Sequence, residues 1–375
     1  MIPIAKPYLT TDEAQAAYDT ILTGWITQGP RVKEFEDNFE AYTGAKYAVA
    51  VSNCTTALHL SLIVAGVTQG DEVICPSMSY VATANAIKYV GAIPVFAEVD
   101  ENYNIDVDDA ARLITDKTKA ILIVHQIGMP ADIDAFAALC QAHNLALIED
   151  AACAVGSSYH GTKIGSHSDL VCFSFHPRKV ISTGDGGMIT TSREDYSERL
   201  KLLRQHGMSV NDRVRHEAKS VIFEDHLEVG YNYRLTDIQA SVGIKQLEKL
   251  DWLVSERRKI ALRYNEAFRG FDFLRLPVEK DGYFSNYQSY SIYLEGHCPI
   301  SRNELMEQLL AVGISTRRGV MTAHRVTAYL KDYAGVSLPV SEDLSDRSII
   351  LPLYIPMADA DIQFVIDTFK ALITR

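Results

Sequence analysis

At 375 residues the chain is long enough for a large α/β domain followed by a smaller one. Hydrophobic residues at 47% and charged residues at 22% match ordinary globular usage and exclude a disordered or collagen-like chain. A formal net charge of −12 argues against a nucleic-acid or anionic-membrane partner, while leaving room for a small anion in a local basic pocket.

The chain opens with MIPIAKPYLTTDEAQ, which lacks the basic and apolar regions of a signal peptide, and no later stretch of about 18 uncharged apolar residues follows. A cytoplasmic location without membrane association is expected. The six cysteines (Cys54, Cys75, Cys140, Cys153, Cys172, Cys298) have no CxxC spacing and read as reduced thiols. From about residue 46 to residue 205, strand-like apolar runs alternate with helix-periodic segments. Strands are predicted at 46–51, 72–75, 93–98, 120–125, 146–149, 170–175 and 187–191, with helices at 56–65, 81–90, 107–114 and 133–143 between them. The alternation predicts a mostly parallel seven-stranded sheet sandwiched by helices. After Ser209 the charged stretch MSVNDRVRHEAKSVIFEDHLE reads as a long excursion, of the kind used as a lid or subunit contact. A long helical pattern from Thr236 toward Phe268, softened near Asp251, should lead to a smaller α+β domain with a strand at 287–294 and helices at 302–312 and 359–374. The expected division is 1–250 for the large domain and 251–375 for the small one.

The most informative stretch is LALIEDAACAVGSSYHGTKIGSHSDLVCFSFHPRKVISTGDGGMITT. It puts Asp150 at the carboxyl end of one predicted strand and Lys179 in a loop just after another. Ligands bind at such strand ends in open α/β sheets, so the two groups are expected to share a crevice. Asp150 follows LALI and precedes AACAVG, apolar company that makes a buried carboxylate costly without a cationic partner. A protonated pyridine nitrogen is such a partner, and a lysine among small residues and glycines can form a Schiff base with an aldehyde cofactor. SNCTTALHL, at residues 52–60, passes from a strand end into a helix whose free amides suit a phosphate. Taken alone it is an ordinary helix cap. The P-loop GxxxxGK[ST] and a GxGxxG after the first strand are both absent from the sequence.

The ordered blocks GWITQGPRVKEFE, SNCTTALHLSL, GDEVICPSMSYVATANAI, VHQIGMPADID, IEDAACAVGSSYHG, FSFHPRKVISTGDGG and GYNYRLTDIQA resemble those of the DegT-type sugar aminotransferases. These are enzymes of pyridoxal 5′-phosphate (PLP) with fold type I, and the match runs from about residue 3 to the C-terminus. The resemblance implies that Lys179 carries the cofactor, Asp150 faces its ring nitrogen and Tyr80 stacks on the ring. Thr55 and Thr56 through their amides, and Ser174 through its hydroxyl, would hold the phosphate. Asn232 would reach that phosphate from a neighbouring subunit, making a homodimer with shared sites, and Arg234 is as readily a structural ion-pair partner. Cys153 stands in the cofactor pocket where relatives often have Gln or His, and Asp185 where they often have Glu. The implied reaction moves an amino group, with glutamate as donor, onto a keto-sugar for a cell-surface polysaccharide such as lipopolysaccharide. A sugar dehydratase of the same fold and an inactive regulatory relative are the alternatives; dehydratases typically carry His in place of the lysine, so Lys179 favours amino transfer. In 313–325, GISTRRGVMTAHR, the residues Arg317, Arg318, His324 and Arg325 suit an anionic group of the acceptor, either a nucleotide pyrophosphate or a sugar-acid carboxylate.

Overall fold

The computed structural model describes residues 1–210 and 220–374. Two helices, α1 (Thr11–Leu22) and α2 (Pro30–Thr43), precede β1 (Tyr47–Val51). Then follow α3 (Cys54–Val64), β2 (Glu72–Pro76), α4 (Ala82–Tyr89), β3 (Ile93–Ala97), α5 (Val107–Arg112), β4 (Thr118–Val124), α6 (Ile133–His143) and β5 (Ala146–Asp150). Two short strands, β6 (Ser158–Tyr159) and β7 (Thr162–Lys163), lead to β8 (Leu170–Ser174), β9 (Gly187–Thr191) and α7 (Glu194–Leu203).

All seven predicted strands form one sheet, in the order β1-β9-β8-β5-β4-β2-β3. Neighbours from β3 through β8 run parallel, whereas β9 is antiparallel to both β8 and β1. The reversal has a local cause. Between Ser174 and Gly187 the chain has only a loop, with no crossover helix to return it to the same edge, and without such a crossover a strand pairs antiparallel. Alternate strand residues feed opposite layers. Val49, Val51, Ile148 and Cys172 pack toward α3, α4 and α7, while Ala50, Ile121, Val171 and Phe173 pack on the other face.

The long helical pattern resolves into α8 (Asp237–Glu248) and α9 (Leu250–Phe268), meeting at Lys249. Asp237, in GYNYRLTDIQA, ties that block to GWITQGPRVKEFE. From the start of α8 its carboxylate accepts from the amides of Gly29, Arg31 and Val32, capping α2. Beyond α9 lie β10 (Leu274–Arg275), β11 (Tyr283–Phe284), β12 (Tyr290–Leu294), α10 (Arg302–Ala311), β13 (Arg317–Arg318), α11 (Thr327–Leu330), α12 (Pro339–Arg347), β14 (Ser348–Leu351) and α13 (Asp359–Ile373). A second, antiparallel sheet has the order β10-β12-β14-β13. The N-terminus joins this region through a bridge between Ile2 and Ile314. Part of the predicted excursion, residues 211–219, lies outside the described residues.

Candidate active site

Asp150, Ser174 and Ser52 stand together at the carboxyl ends of β5, β8 and β1, as the sheet order brings these ends to one rim. The side chain of Asp150 falls on the same face as Ile148, toward the starts of α3 and α4. It is 5% exposed. Its Oδ2 accepts from the Thr83 hydroxyl at 2.9 Å and its Oδ1 from the Ala152 amide at 3.1 Å. The hydroxyls of Thr83 and Ser79 lie 2.7 Å apart, extending the network. Thr83 falls within the block GDEVICPSMSYVATANAI, but nothing in that block marks it as a partner of Asp150; its own sequence signal is a hydroxyl in the first turn of a helix. Burial raises the Asp150 pKa, and the Ala152 amide, Thr83 and Lys179 oppose this without cancelling it.

Lys179 sits in the loop between β8 and β9. That loop is closed by the bonds from Phe175 N to Gly186 O, at 2.9 Å, and from Thr183 N to Phe175 O, at 3.0 Å. The bond from Lys179 N to His176 O, at 2.8 Å, turns the lysine inward. Its Nζ donates to the Cys153 Sγ at 3.1 Å. Burial acts to lower the Lys179 pKa, but Cys153, Asp150 and Cys54 outweigh it and the net shift is upward. Asp150, Cys153 and Lys179 therefore share one pocket.

At the start of α3, the Asn53 side chain accepts from the Thr56 amide at 2.9 Å. Thr56 thus has its amide engaged, and its hydroxyl turns back to Asn53 O at 2.7 Å. The amides of Cys54 and Thr55, at the first two helical positions, have no intrahelical acceptor. Gly187 runs so close to this turn that a Cβ there would lie 2.6 Å from the Asn53 carbonyl carbon. Ser174, at the end of β8, accepts from the His176 amide at 3.4 Å. Tyr80 precedes α4 and is 66% exposed, leaving a ring face open.

GYNYR runs beside the same rim, with Ser52 N donating to Tyr233 O at 2.8 Å. Tyr231 and Tyr233 stack on each other and pack on His59, while Asn232 between them is exposed on the opposite side. Arg234 is half-buried. Asp185 offers its backbone carbonyl to Thr183 and Gln239.

The predicted basic cluster separates. Arg317 and Arg318 are exposed on β13. His324 is 2% exposed, with Nδ1 at 2.6 Å from the Ser77 hydroxyl and Nε2 at 3.1 Å from Glu342. Both ring nitrogens are thereby occupied, and the expected acceptor contact is corrected to a buried structural role. Arg325 makes a two-point ion pair with Asp346.

The pocket fits PLP on three counts. A buried carboxylate faces it with no cation in its hydrogen-bond shell, two amides at a helix start are left without helical acceptors, and a lysine amine stands close enough to the acid and to Cys54 to feel both electrostatically. Residues 7–370 match the model of the DegT/DnrJ/EryC1/StrS aminotransferase family. The aminotransferase TlmJ of Streptoalloteichus hindustanus superposes with a TM-score of 0.90 at 34% identity, covering 99% of this chain and 98% of that one. Spr1654 of Streptococcus pneumoniae, in its PMP form, gives 0.93 at 30% identity over 100% and 99% of the two chains. PseC of Helicobacter pylori, an aminotransferase involved in pseudoaminic acid biosynthesis, gives 0.92 at 27% identity over 100% and 99%. The chain belongs to the DegT/DnrJ/EryC1/StrS aminotransferase family and is a PLP-dependent sugar aminotransferase.

Proposed function

We propose that the chain carries an amino group from glutamate to a keto-sugar bearing an anionic group, in the making of an amino sugar for lipopolysaccharide or a related glycoconjugate. The anion is a nucleotide pyrophosphate or the carboxylate of a free keto-sugar acid. The observation that carries this reading is an unneutralised group of guanidiniums. Although Arg317 is exposed, partial desolvation and then repulsion from Arg178 and Arg318 lower its pKa, and Tyr80 opposes this electrostatically. Among the described residues no carboxylate pairs with Arg178, Arg317 or Arg318. In a chain with net charge −12, such a cluster beside Tyr80 is a local attractor for an anion.

When bound, PLP supplies an electron sink that lets a proton leave and return next to the transferred nitrogen. Lys179 would hold it and move that proton at Nζ. Asp150 would face the ring nitrogen, Tyr80 the ring, and Cys153 would line the pocket beside Nζ. The Cys54 and Thr55 amides with the Ser174 hydroxyl would take the phosphate, Thr56 serving through its hydroxyl within the cap. Residues 1–250 would form the cofactor unit and 251–375 the smaller one.

The test of the acceptor replaces each arginine with Leu. Arg317→Leu and Arg318→Leu are expected to raise the acceptor KM by roughly tenfold or more, the scale of one lost charge-assisted hydrogen bond. The glutamate half-reaction should be unchanged. Parent-like acceptor kinetics in both variants would reduce the cluster to a solvated turn.

A homodimer with shared sites belongs to the same proposal. Asn232 is exposed, and in the segment that leads to it Val221, Phe223 and Val229 are exposed by 81%, 90% and 88%. Large apolar side chains left this open to solvent favour a protein contact. Mixing inactive Lys179→Ala with an Asn232→Ala variant under subunit exchange is expected to recover activity, since one mixed site is intact. No recovery, or a fully active monomer in sedimentation, would exclude the shared site. Among the described residues no helix is long and apolar enough to cross a membrane. A cytoplasmic setting belongs to the same proposal, and the six free thiols support it.

A further inference from the structure

Residues 285–288, between β11 and β12, come from outside the large sheet yet reach both loops of the pocket. Asn286 is fully buried. Its Nδ2 donates to the carbonyls of Cys153 and Val155, each at 2.8 Å, and its Oδ1 accepts from the Gln288 amide at 2.8 Å. Its own amide donates to the Ser157 hydroxyl at 3.1 Å, which in turn donates to Gly128 O at 2.7 Å. Gly128 has φ +98°, and a Cβ there would come within 1.9 Å of Asn286 Oδ1, so the HQIGMP turn needs its glycine to admit this amide. Gln288 reaches the other way, its Nε2 donating to the carbonyl of Arg178 at 2.9 Å, one residue before Lys179.

This strap is itself fixed. Tyr287 adopts φ +47°, and buried Arg257 of α9 donates Nε to Tyr287 O at 2.8 Å and Nη2 to Gln288 O at 2.5 Å. One short segment therefore grips the loop after Asp150 and the loop before Lys179 at once.

We propose that Asn286 and Gln288 are positioning residues that set the separation of these two loops and so hold Lys179 Nζ at Cys153 and beside Asp150. The proposal rests on the assignment of Lys179 and Asp150 given above. A purely structural role does not account for Gln288. It is half-buried, and the Arg178 carbonyl it holds lies in an exposed part of the loop where water would satisfy it equally well. What water cannot supply is a fixed distance, and misplacement by about 1 Å can cost roughly a hundredfold in rate.

The experiment uses two variants. Gln288→Ala removes the Arg178 tether alone, and Asn286→Asp keeps the shape while removing both donors. In Gln288→Ala, kcat is expected to fall about tenfold or more with the donor KM unchanged, as misplacement of a catalytic group predicts. In the cofactor-free protein, iodoacetamide should label Cys153 faster than in the parent, while the other half-buried thiol, Cys298, keeps its parental rate. Asn286→Asp should show the same selective labelling, read alongside its melting temperature. Unchanged Cys153 labelling overturns the proposal even if kcat falls, and so does equal acceleration at Cys153 and Cys298, which is general loosening. Because labelling needs no bound cofactor, its outcome is independent of whether Lys179→Ala abolishes turnover, the measurement that decides the site assignment.

Discussion

Replacing Lys179 with Ala is expected to abolish amino transfer while leaving the protein folded. The side chain lies in a loop between β8 and β9, half-buried, and its hydrogen bond is to a thiol, the Cys153 Sγ at 3.1 Å. The loop keeps its course through backbone bonds at Phe175, Thr183 and Gly186, none of which involves Nζ. The substitution therefore removes chemistry and little packing. Proton transfer by a placed group contributes roughly 10²–10⁴ in rate, and loss of the covalent hold on the cofactor comes on top of it. In the cofactor-free chain Cys153 and Asp150 keep Nζ protonated, the wrong state for a base. A cation taken up by Asp150 weakens that hold, so the acid and the lysine are electrostatically coupled. The measurements are circular dichroism, thermal unfolding, the visible absorbance band and turnover of the purified variant. More than trace turnover would remove Lys179 from the role proposed for it.

The seven strands of the large sheet are legible because each is a short apolar run bounded by polar or glycine-rich turns. The direction of β9 is not, since direction depends on the connection before it and apolar content carries no sense. Strand β14, in RSIILPLY, carries no such boundary signal. It is four residues long and draws its identity from β12 and β13, which are remote in sequence. Asp150 and Lys179 could be paired because both follow strand ends, where topology forces convergence. Thr83, Asn286 and Gln288 could not, as each acts on residues 67 to 133 positions away and no local pattern marks such contacts. His324 shows the opposite failure. Its basic neighbours point to a surface anion site, but Ser77, 247 residues away, draws the ring into the interior.

Asp150→Asn is expected to lower kcat by roughly 10²–10³, on the order of 3–4 kcal/mol in the barrier, the scale measured when one preorganised electrostatic group is removed. The shape is preserved: an Asn can still accept from the Thr83 hydroxyl at Oδ1 or, like the parent, from the Ala152 amide. Only the charge is lost, and with it the ability to keep a facing ring nitrogen protonated. The same substitution has an opposite effect on stability. Burial raises the Asp150 pKa in the folded chain above its unfolded value, so the folded state binds the proton more tightly. Stability from this group is then greatest below the ordinary carboxylate range and is lost as pH rises through the folded value. At neutral pH the cofactor-free parent holds a carboxylate that its surroundings disfavour, and Asn removes that penalty. The cofactor-free Asn variant should therefore melt at or above the parent temperature at pH 7, with the difference shrinking as pH is lowered. In the cofactor-loaded protein the order should reverse, because the parent alone gains an ion pair. An Asn variant with near-parent turnover would show that the charge of Asp150 does not drive the reaction, and a cofactor-free variant that melts well below the parent would show that Asp150 is there for the fold.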